Sequence, residues 1–513
     1  MEFRHEEAGG GDNYYLRWKG PDSLGAWVIV PAGSFTALTR TTYLLETAAT
    51  PASTITDYVV KVVVGDSSMP EPNCKQYPNG TYKPTGILQT YGEPGRMYFG
   101  LLTGSYDDNT QGGILRKQIG SITDEIDSST GQLTSVNGII KTIDNMRISE
   151  FRYSDFSYEP GWAGAWVTTR SMNAGEFPDW GNPIAEMMYE GMRYFAGKGT
   201  ATSAFTDATS TVDSSLGLPE PSWGNPYNAD NYCAKPFMLV LSDIYPTYDS
   251  DDLPGSYFNP GFSGTLGTLD VEDLADTILS EEGDAGNHYI GRLGATYDGS
   301  CAPKDMDGFG DVRGLCPEEP TKQGSYYAAS VAYYGRNSLT NPVVTTETGD
   351  PDAKLEVLSY MVALASALPR IEIPVAGQTV TLVPFAKSIG GCLGIVPTQG
   401  TFQPTNTIVD FFVEAITPTS GTFRINYEDV EQAADHDMDA IVTYEYQVID
   451  DAGDPVAQSA DGTKVKITLS SDYASGGINQ HLGYIISGTT ADGTYLEVVD
   501  ADIAGTPTPG TDV

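Results

Sequence analysis

The residues of this chain whose types and spacing could do chemistry are mostly acidic. Asp305, Asp307 and Asp311 stand at alternate loop positions around the turn-forming Gly308. A hard cation such as Ca2+ needs several converging oxygens, and such a loop can supply them. Pro303 occupies the position two places upstream where a further acid would help, and the bidentate Glu of an EF-hand is missing. A solvated acidic turn is therefore the competing reading. A second run, Asp435, Asp437 and Asp439, follows Glu428, Asp429 and Glu431 between two apolar segments, and the same two readings apply to it. Asp243 closes an apolar run and precedes Asp249, Asp251 and Asp252. Open α/β sheets bind ligands where a parallel strand meets its loop, although an Asp at that place also serves as a simple loop cap. The metal expectation is thus Ca2+, at Asp243, at Asp305, Asp307 and Asp311, and at Asp435, Asp437 and Asp439.

Other chemistries have little footing. The five cysteines, Cys74, Cys233, Cys301, Cys316 and Cys392, form no CxxC pair, and the four histidines are scattered at 5, 288, 436 and 481. That pattern disfavours zinc. Cys301 and Cys316 bracket a Gly- and Asp-rich loop, and a disulfide between them would stabilise the fold by about 3 kcal/mol through loop entropy. Two free thiols in a reducing compartment are the alternative. The chain holds no GxSxG, no HExxH and no complete phosphate-binding glycine loop, so an enzyme is not expected.

The elements that must position these residues are legible from periodicity. Short strands are expected at 26–30, 58–64 and 97–103, and apolar residues at 115, 119, 122 and 126 have helical spacing over 113–126. Asn182 as cap and Pro183 in the first turn open a helix whose face is Ile184, Met187, Met188, Gly191 and Phe195, with Gly197 stopping it. The run 236–243 reads as a buried strand and Ser325–Tyr334 as a helix; further strands follow within 355–374 and at 379–383. Strands alternating with helices indicate an α/β domain over 55–398, after a β-rich segment at 1–54. Beyond residue 400 the period becomes two: Val442, Tyr444, Tyr446 and Val448 share one face, as do Val465, Ile467 and Leu469, and Phe423, Ile425 and Tyr427. With turns such as Asp461–Gly462 and Asp492–Gly493, this is a small antiparallel β-sandwich over 399–503, with a linker-like tail at 504–513.

Composition narrows the partners. The 513 residues suggest roughly two to four domains. With 28 basic against 68 acidic residues the formal charge is −40, which argues against nucleic acid and anionic membranes as ligands and leaves cations and basic protein surfaces. No apolar run is long enough to span a bilayer as a helix. The first residues contain no apolar signal core. The long Tyr- and Gly-rich loops nevertheless favour export.

The segments Asn73–Cys74, Tyr82–Tyr91, Tyr98–Tyr106 and Gly112–Lys117 resemble signatures of the PilC/PilY-type type IV pilus tip and assembly proteins. Asn182–Glu190 and Leu239–Asp243 are similar to that family's von Willebrand factor A-like domain, and Phe423–Gln432 with Asp435–Asp439 to the segment leading to its C-terminal propeller. The resemblance runs in order over roughly residues 55–500. It departs from the von Willebrand A pattern in lacking Asp-x-Ser-x-Ser, and in placing Asn182 and Pro183 where a Thr loop belongs; no propeller is visible. The resemblance implies an α/β von Willebrand factor A-like domain with long loop insertions, followed by the sandwich. It implies a non-enzymatic protein of the cell surface or pilus tip. Such a protein would prime pilus assembly with minor pilins and bind a host or surface ligand. A free-standing extracellular adhesin or filament subunit is the other function these features allow.

Overall fold

The computed structural model describes residues 2–7, 12–18, 28–29, 64–149, 151–152, 157–158, 173–206, 211–242, 246–297, 303–315, 323–363, 369–389, 407–428, 440–474 and 479–499. The chain divides into two compact units, Met1–Tyr98 with Ser121–Ser135, and Phe99–Gly120 with Val136–Val513. This division is not the one drawn from periodicity. Most of the 1–54 segment and the expected strand at 58–64 lie outside the described residues, apart from short strands at Glu2–Glu7, Asp12–Trp18 and Val28–Ile29.

The first unit is built on the hairpin of β1 (Cys74–Gln76) and β2 (Tyr82–Pro84), followed by one wide helical turn at Leu88–Gly92. Tyr77 is buried and its hydroxyl donates to Glu93 Oε1 at 2.5 Å. Glu93 also takes the Lys75 ammonium, which lies 4.6 Å from the centre of the Tyr77 ring. Gly131, at φ +68°, lies flat on that ring, where an added Cβ would overlap it.

In the second unit, β3 (Phe99–Thr103) pairs antiparallel with β4 (Ile114–Gly120). Helical spacing over 113–126 is thus overridden. The segment forms a strand because both of its faces find partners. Leu115 is buried on one side, and on the other the Arg116 side chain is fully buried, with its guanidinium bonded to Asp213, Thr103 Oγ1 and the Gly104 carbonyl. Burial on both faces erases the period that sequence reading depends on.

Helix α1 (Ile184–Phe195) is the centre of the α/β core. Ala185, Tyr189 and Met192 are fully buried, and Gly197 ends it at φ +73° as expected. It packs on α3 (Tyr327–Asn337), which also meets α2 (Val271–Glu282). A further short helix, α4 (Pro342–Thr348), is capped by Asn341. Strand β5 (Phe237–Ser242) pairs in parallel with β9 (Leu358–Ala363) and with no other described strand. The expectation of a buried strand at 236–243 is therefore not met: one face is only partly buried and the other is exposed. Met238 and Val240 pack on the core, whereas Phe237, Leu239 and Leu241 are 44%, 57% and 62% exposed. Between α2 and α3, β6 (Gly286–Leu293) pairs with β7 (Pro303–Met306) and β8 (Val312–Leu315).

The sandwich has two four-stranded antiparallel sheets. One contains β10 (Ile371–Val375), β11 (Gln378–Ile389), β16 (Asn479–Ser487) and β17 (Gly493–Val499) in that order. The other contains β12 (Thr407–Ile416), β13 (Ser420–Glu428), β14 (Ala440–Ile449) and β15 (Lys464–Ala474). The sandwich thus starts before residue 399. Of residues 371–389, assigned to the α/β domain by sequence, 381–389 pair with 479–487 across nine registered positions, Thr381↔Ser487 to Ile389↔Asn479, and 371–375 pair with 378–382. The expected alternation holds: Ala440, Val442, Tyr444, Tyr446 and Val448 are all buried. Tyr444 stitches the two sheets, its hydroxyl donating to the Gly483 carbonyl at 2.7 Å while sharing a 2.8 Å hydrogen bond with Tyr427.

Candidate functional site

The first acidic run is only partly assembled. Asp305 is an exposed residue of β7, opposite Asn287 of β6, and stands apart from the turn that follows. That turn folds onto α2. The Gly310 N–H donates to Asp276 Oδ1 at 2.8 Å, and a Cβ at Gly308 would overlap the Asp276 carboxylate. A larger residue at 308 would push the Asp276 carboxylate aside. Burial first, then the charges of Asp276 and Asp307, hold the Asp311 carboxyl above its usual range. Glu272 is raised by burial and then by Asp276, Asp270, Asp273 and Asp311. The structure so brings Asp311, with Asp307 beside it, to two acids on α2 that sequence reading passed over. Their signal was the i, i+4 spacing of Glu272 and Asp276 on one helical face. Among the described residues, no three acidic, histidine or cysteine side chains are arranged to hold a metal ion.

Asp243, Asp435, Asp437, Asp439, Cys301 and Cys316 lie outside the described residues. The described cysteines, Cys74 and Cys233, carry free thiols. Cys74 Sγ donates to Glu71 Oε2 at 3.2 Å.

A polar network that was not anticipated gathers at the N-terminus of α1. Asn182 does not cap the helix. Its amide donates instead to Ser242 Oγ at the end of β5 (2.8 Å), and its backbone N–H to Thr247 Oγ1 (2.6 Å). The cap comes from 64 positions further along: Asp249 Oδ2 accepts from the Ala185 N–H at 3.3 Å. The other oxygen of Asp249 takes the Ser325 N–H at 2.8 Å, just before α3. Asp249 is fully buried, and burial pushes its carboxyl up to about 7. One residue along α1, Glu186 is also fully buried and accepts from the Gly112 N–H (2.8 Å) and the Asp252 N–H (3.0 Å). Burial, reinforced by Asp251 and Asp252, raises it well above the carboxylate range, and its two N–H partners only moderate this. A turn later Glu190 pairs with Arg193 at 2.9 Å and accepts hydrogen bonds from the Thr202 N–H and hydroxyl.

The place is the one where open α/β sheets bind ligands, where the end of a parallel strand meets a helix N-terminus. Here the chain fills it with its own amide, hydroxyl and carboxyl groups. The first unit carries a separate cleft of about 410 Å³, lined by Lys75, Thr85, Gln89, Thr90, Glu93, Pro94 and Ser128.

Comparison with known proteins follows the same modular order. Residues 99–335 match a family model described as PilY1 homolog, second domain, and residues 373–510 one described as PilY1 homolog, beta-sandwich. The second match begins within β10, in agreement with the sheet pairing. A type IV pilus biogenesis factor PilY1 homolog from Xylella fastidiosa (strain Temecula1 / ATCC 700964) is 42% identical over 489 residues. That stretch covers 87% of this chain and 31% of the relative, so the chain spans less than a third of the relative's length. No solved structure matches the chain.

Proposed function

Since the chain belongs to the PilY1 homolog family, we propose that it is part of a type IV pilus biogenesis factor. In this reading it acts at the cell surface, by binding rather than by catalysis. The observation that carries the reading is the collinear match, at 42% identity over 87% of the chain, to a relative named for pilus biogenesis. The finer reading is a protein that primes pilus assembly together with minor pilins and presents an adhesive pilus tip to a host or surface ligand. The von Willebrand factor A-like assignment belongs to this proposal. It is supported by the parallel β5–β9 pair, the adjoining α1 and the meeting of Asn182 with Ser242 at the strand end.

Labelling intact cells with an antibody to this chain and imaging against surface filaments tests the reading. Label at pilus tips that disappears with the pilus machinery supports it. Label running along filaments, or indifferent to loss of that machinery, points to a free-standing adhesin or filament subunit. Hydrolase activity lost on changing Asp243 would overturn the non-enzymatic assignment. Calcium is proposed for the acidic segments Asp305–Asp311 and Asp435–Asp439 and for Asp243. Its support is chemical: the crowded carboxyls of Glu272, Asp276, Asp307 and Asp311 repel one another, and a cation would relieve them.

A further inference from the structure

We propose that the buried acids around the first turn of α1 form a proton-dependent latch, which fastens the loop 246–256 to α1 and α3 and releases it as pH rises. Four carboxyls meet here, Glu186 from α1 and Asp249, Asp251 and Asp252 from the loop, and two of them are fully buried. They tie together four segments far apart in the chain: Gly112, Ala185–Glu186, Asp249–Asp252 and Ser325. Charge compensation is sparse. Glu186 faces Asp251 and Asp252. Asp252 faces Asp251 and Asn259. Asp251 faces Arg313 of β8. Asp249 is met by the Ala185 and Ser325 N–H groups. Glu190 stands outside the cluster, satisfied by Arg193 and Thr202. Among the described residues Ser250 Oγ, in the middle of the loop, is buried without a hydrogen-bond partner, so closure leaves one polar group unsatisfied.

The sign follows from linkage. In the closed state burial favours the neutral acids; opening returns them to water, where they ionise at ordinary values. Opening therefore releases protons, and its equilibrium constant rises by up to about tenfold per pH unit for each proton released. For Asp249 the window runs from the ordinary carboxylate value of 3.8 to about 7. The latch is fully engaged below this window and weakens as pH climbs through it.

Hydrogen exchange read by mass spectrometry on the whole chain at pH 4.5 and 7.5, corrected for intrinsic rates, tests this. Peptides from 183–190 and 246–256 are expected to lose protection by about tenfold or more at the higher pH, while 440–449 of the sandwich keeps its own. Glu186→Gln with Asp249→Asn should flatten that dependence. If that variant does not fold, Arg313→Gln replaces it: loss of the cation facing Asp251 should increase opening at pH 7.5. Equal loss in the sandwich would mean general repulsion in an acidic chain and would overturn the latch. So would pH-independent protection of 246–256, or an Arg313→Gln variant that exchanges like the parent.

Discussion

Arg116 shows how much one side chain decides in this fold. It is fully buried on β4 and bonded to Asp213, which also receives the Tyr106 N–H at 2.9 Å. A buried ion pair adds little over a well-packed apolar pair, because desolvation consumes most of the attraction. Removing one partner is different, since it leaves the other charge buried alone. Arg116→Met should therefore cost about 3–5 kcal/mol in chemical denaturation. Arg116→Met combined with Asp213→Leu should recover much of that loss. A single variant within 1 kcal/mol of the parent would mean that Asp213 is reached by water and the pair is unimportant. Neither residue was singled out from the sequence, because a lone Arg in an apolar run looks like any exposed charge until its partner, 97 positions away, is placed.

At the scale of elements, legibility followed local signals: periodicity where one face is buried, and start and stop residues elsewhere. The alternating β14 was readable because one face is buried. α1, ten of whose twelve residues are buried, was readable instead from Pro183 at its start, its apolar spacing and Gly197 at its end, and Met187 and Gly191 of the expected face are only partly buried. β4 was misread because both its faces are filled, and residues 371–389 went to the wrong domain because sheet partners a hundred residues distant leave no local mark. The acidic site was legible in part. Asp307, Gly308 and Asp311 do form a carboxyl-rich turn, but its other half is Glu272 and Asp276 on α2. β5 permits a direct test of one-sided burial. Leu239 is 57% exposed whereas Val240, its neighbour, packs on the core. Leu239→Lys should change stability by no more than about 0.5 kcal/mol, and Val240→Lys, at a partly buried position packed on the core, should cost about 1–3 kcal/mol by desolvating an unpaired ammonium. Thermal melts of the two variants decide it, and equal losses would show that the 237, 239 and 241 face is covered in solution. A parallel pair with one open face is unusual, since such sheets are normally covered on both sides.

For the whole molecule, the formal charge of −40 is the dominant physical fact. Ion pairs such as Arg336–Glu356 and Arg370–Glu372 are exposed and contribute little. Self-repulsion among the remaining carboxylates therefore outweighs them, and screening should stabilise the fold. The Debye length falls from about 30 Å at 0.01 M salt to about 10 Å at 0.1 M, so most of the gain should come within that range. Raising NaCl across it should increase the melting temperature, whereas a fall would mean that local attractions dominate the field. Calcium is separated from screening by matching ionic strength. If the acidic segments hold the ion, CaCl2 will lift the midpoint beyond NaCl at the same ionic strength, saturating as a binding curve and reversing with chelator. Asp311→Asn should shrink that excess if the described turn is the site, and leave it intact if Asp435, Asp437 and Asp439 carry the ion. Coincident NaCl and CaCl2 curves would remove calcium from the proposed function and leave the acidity as a means of keeping the protein soluble and selective for basic partners.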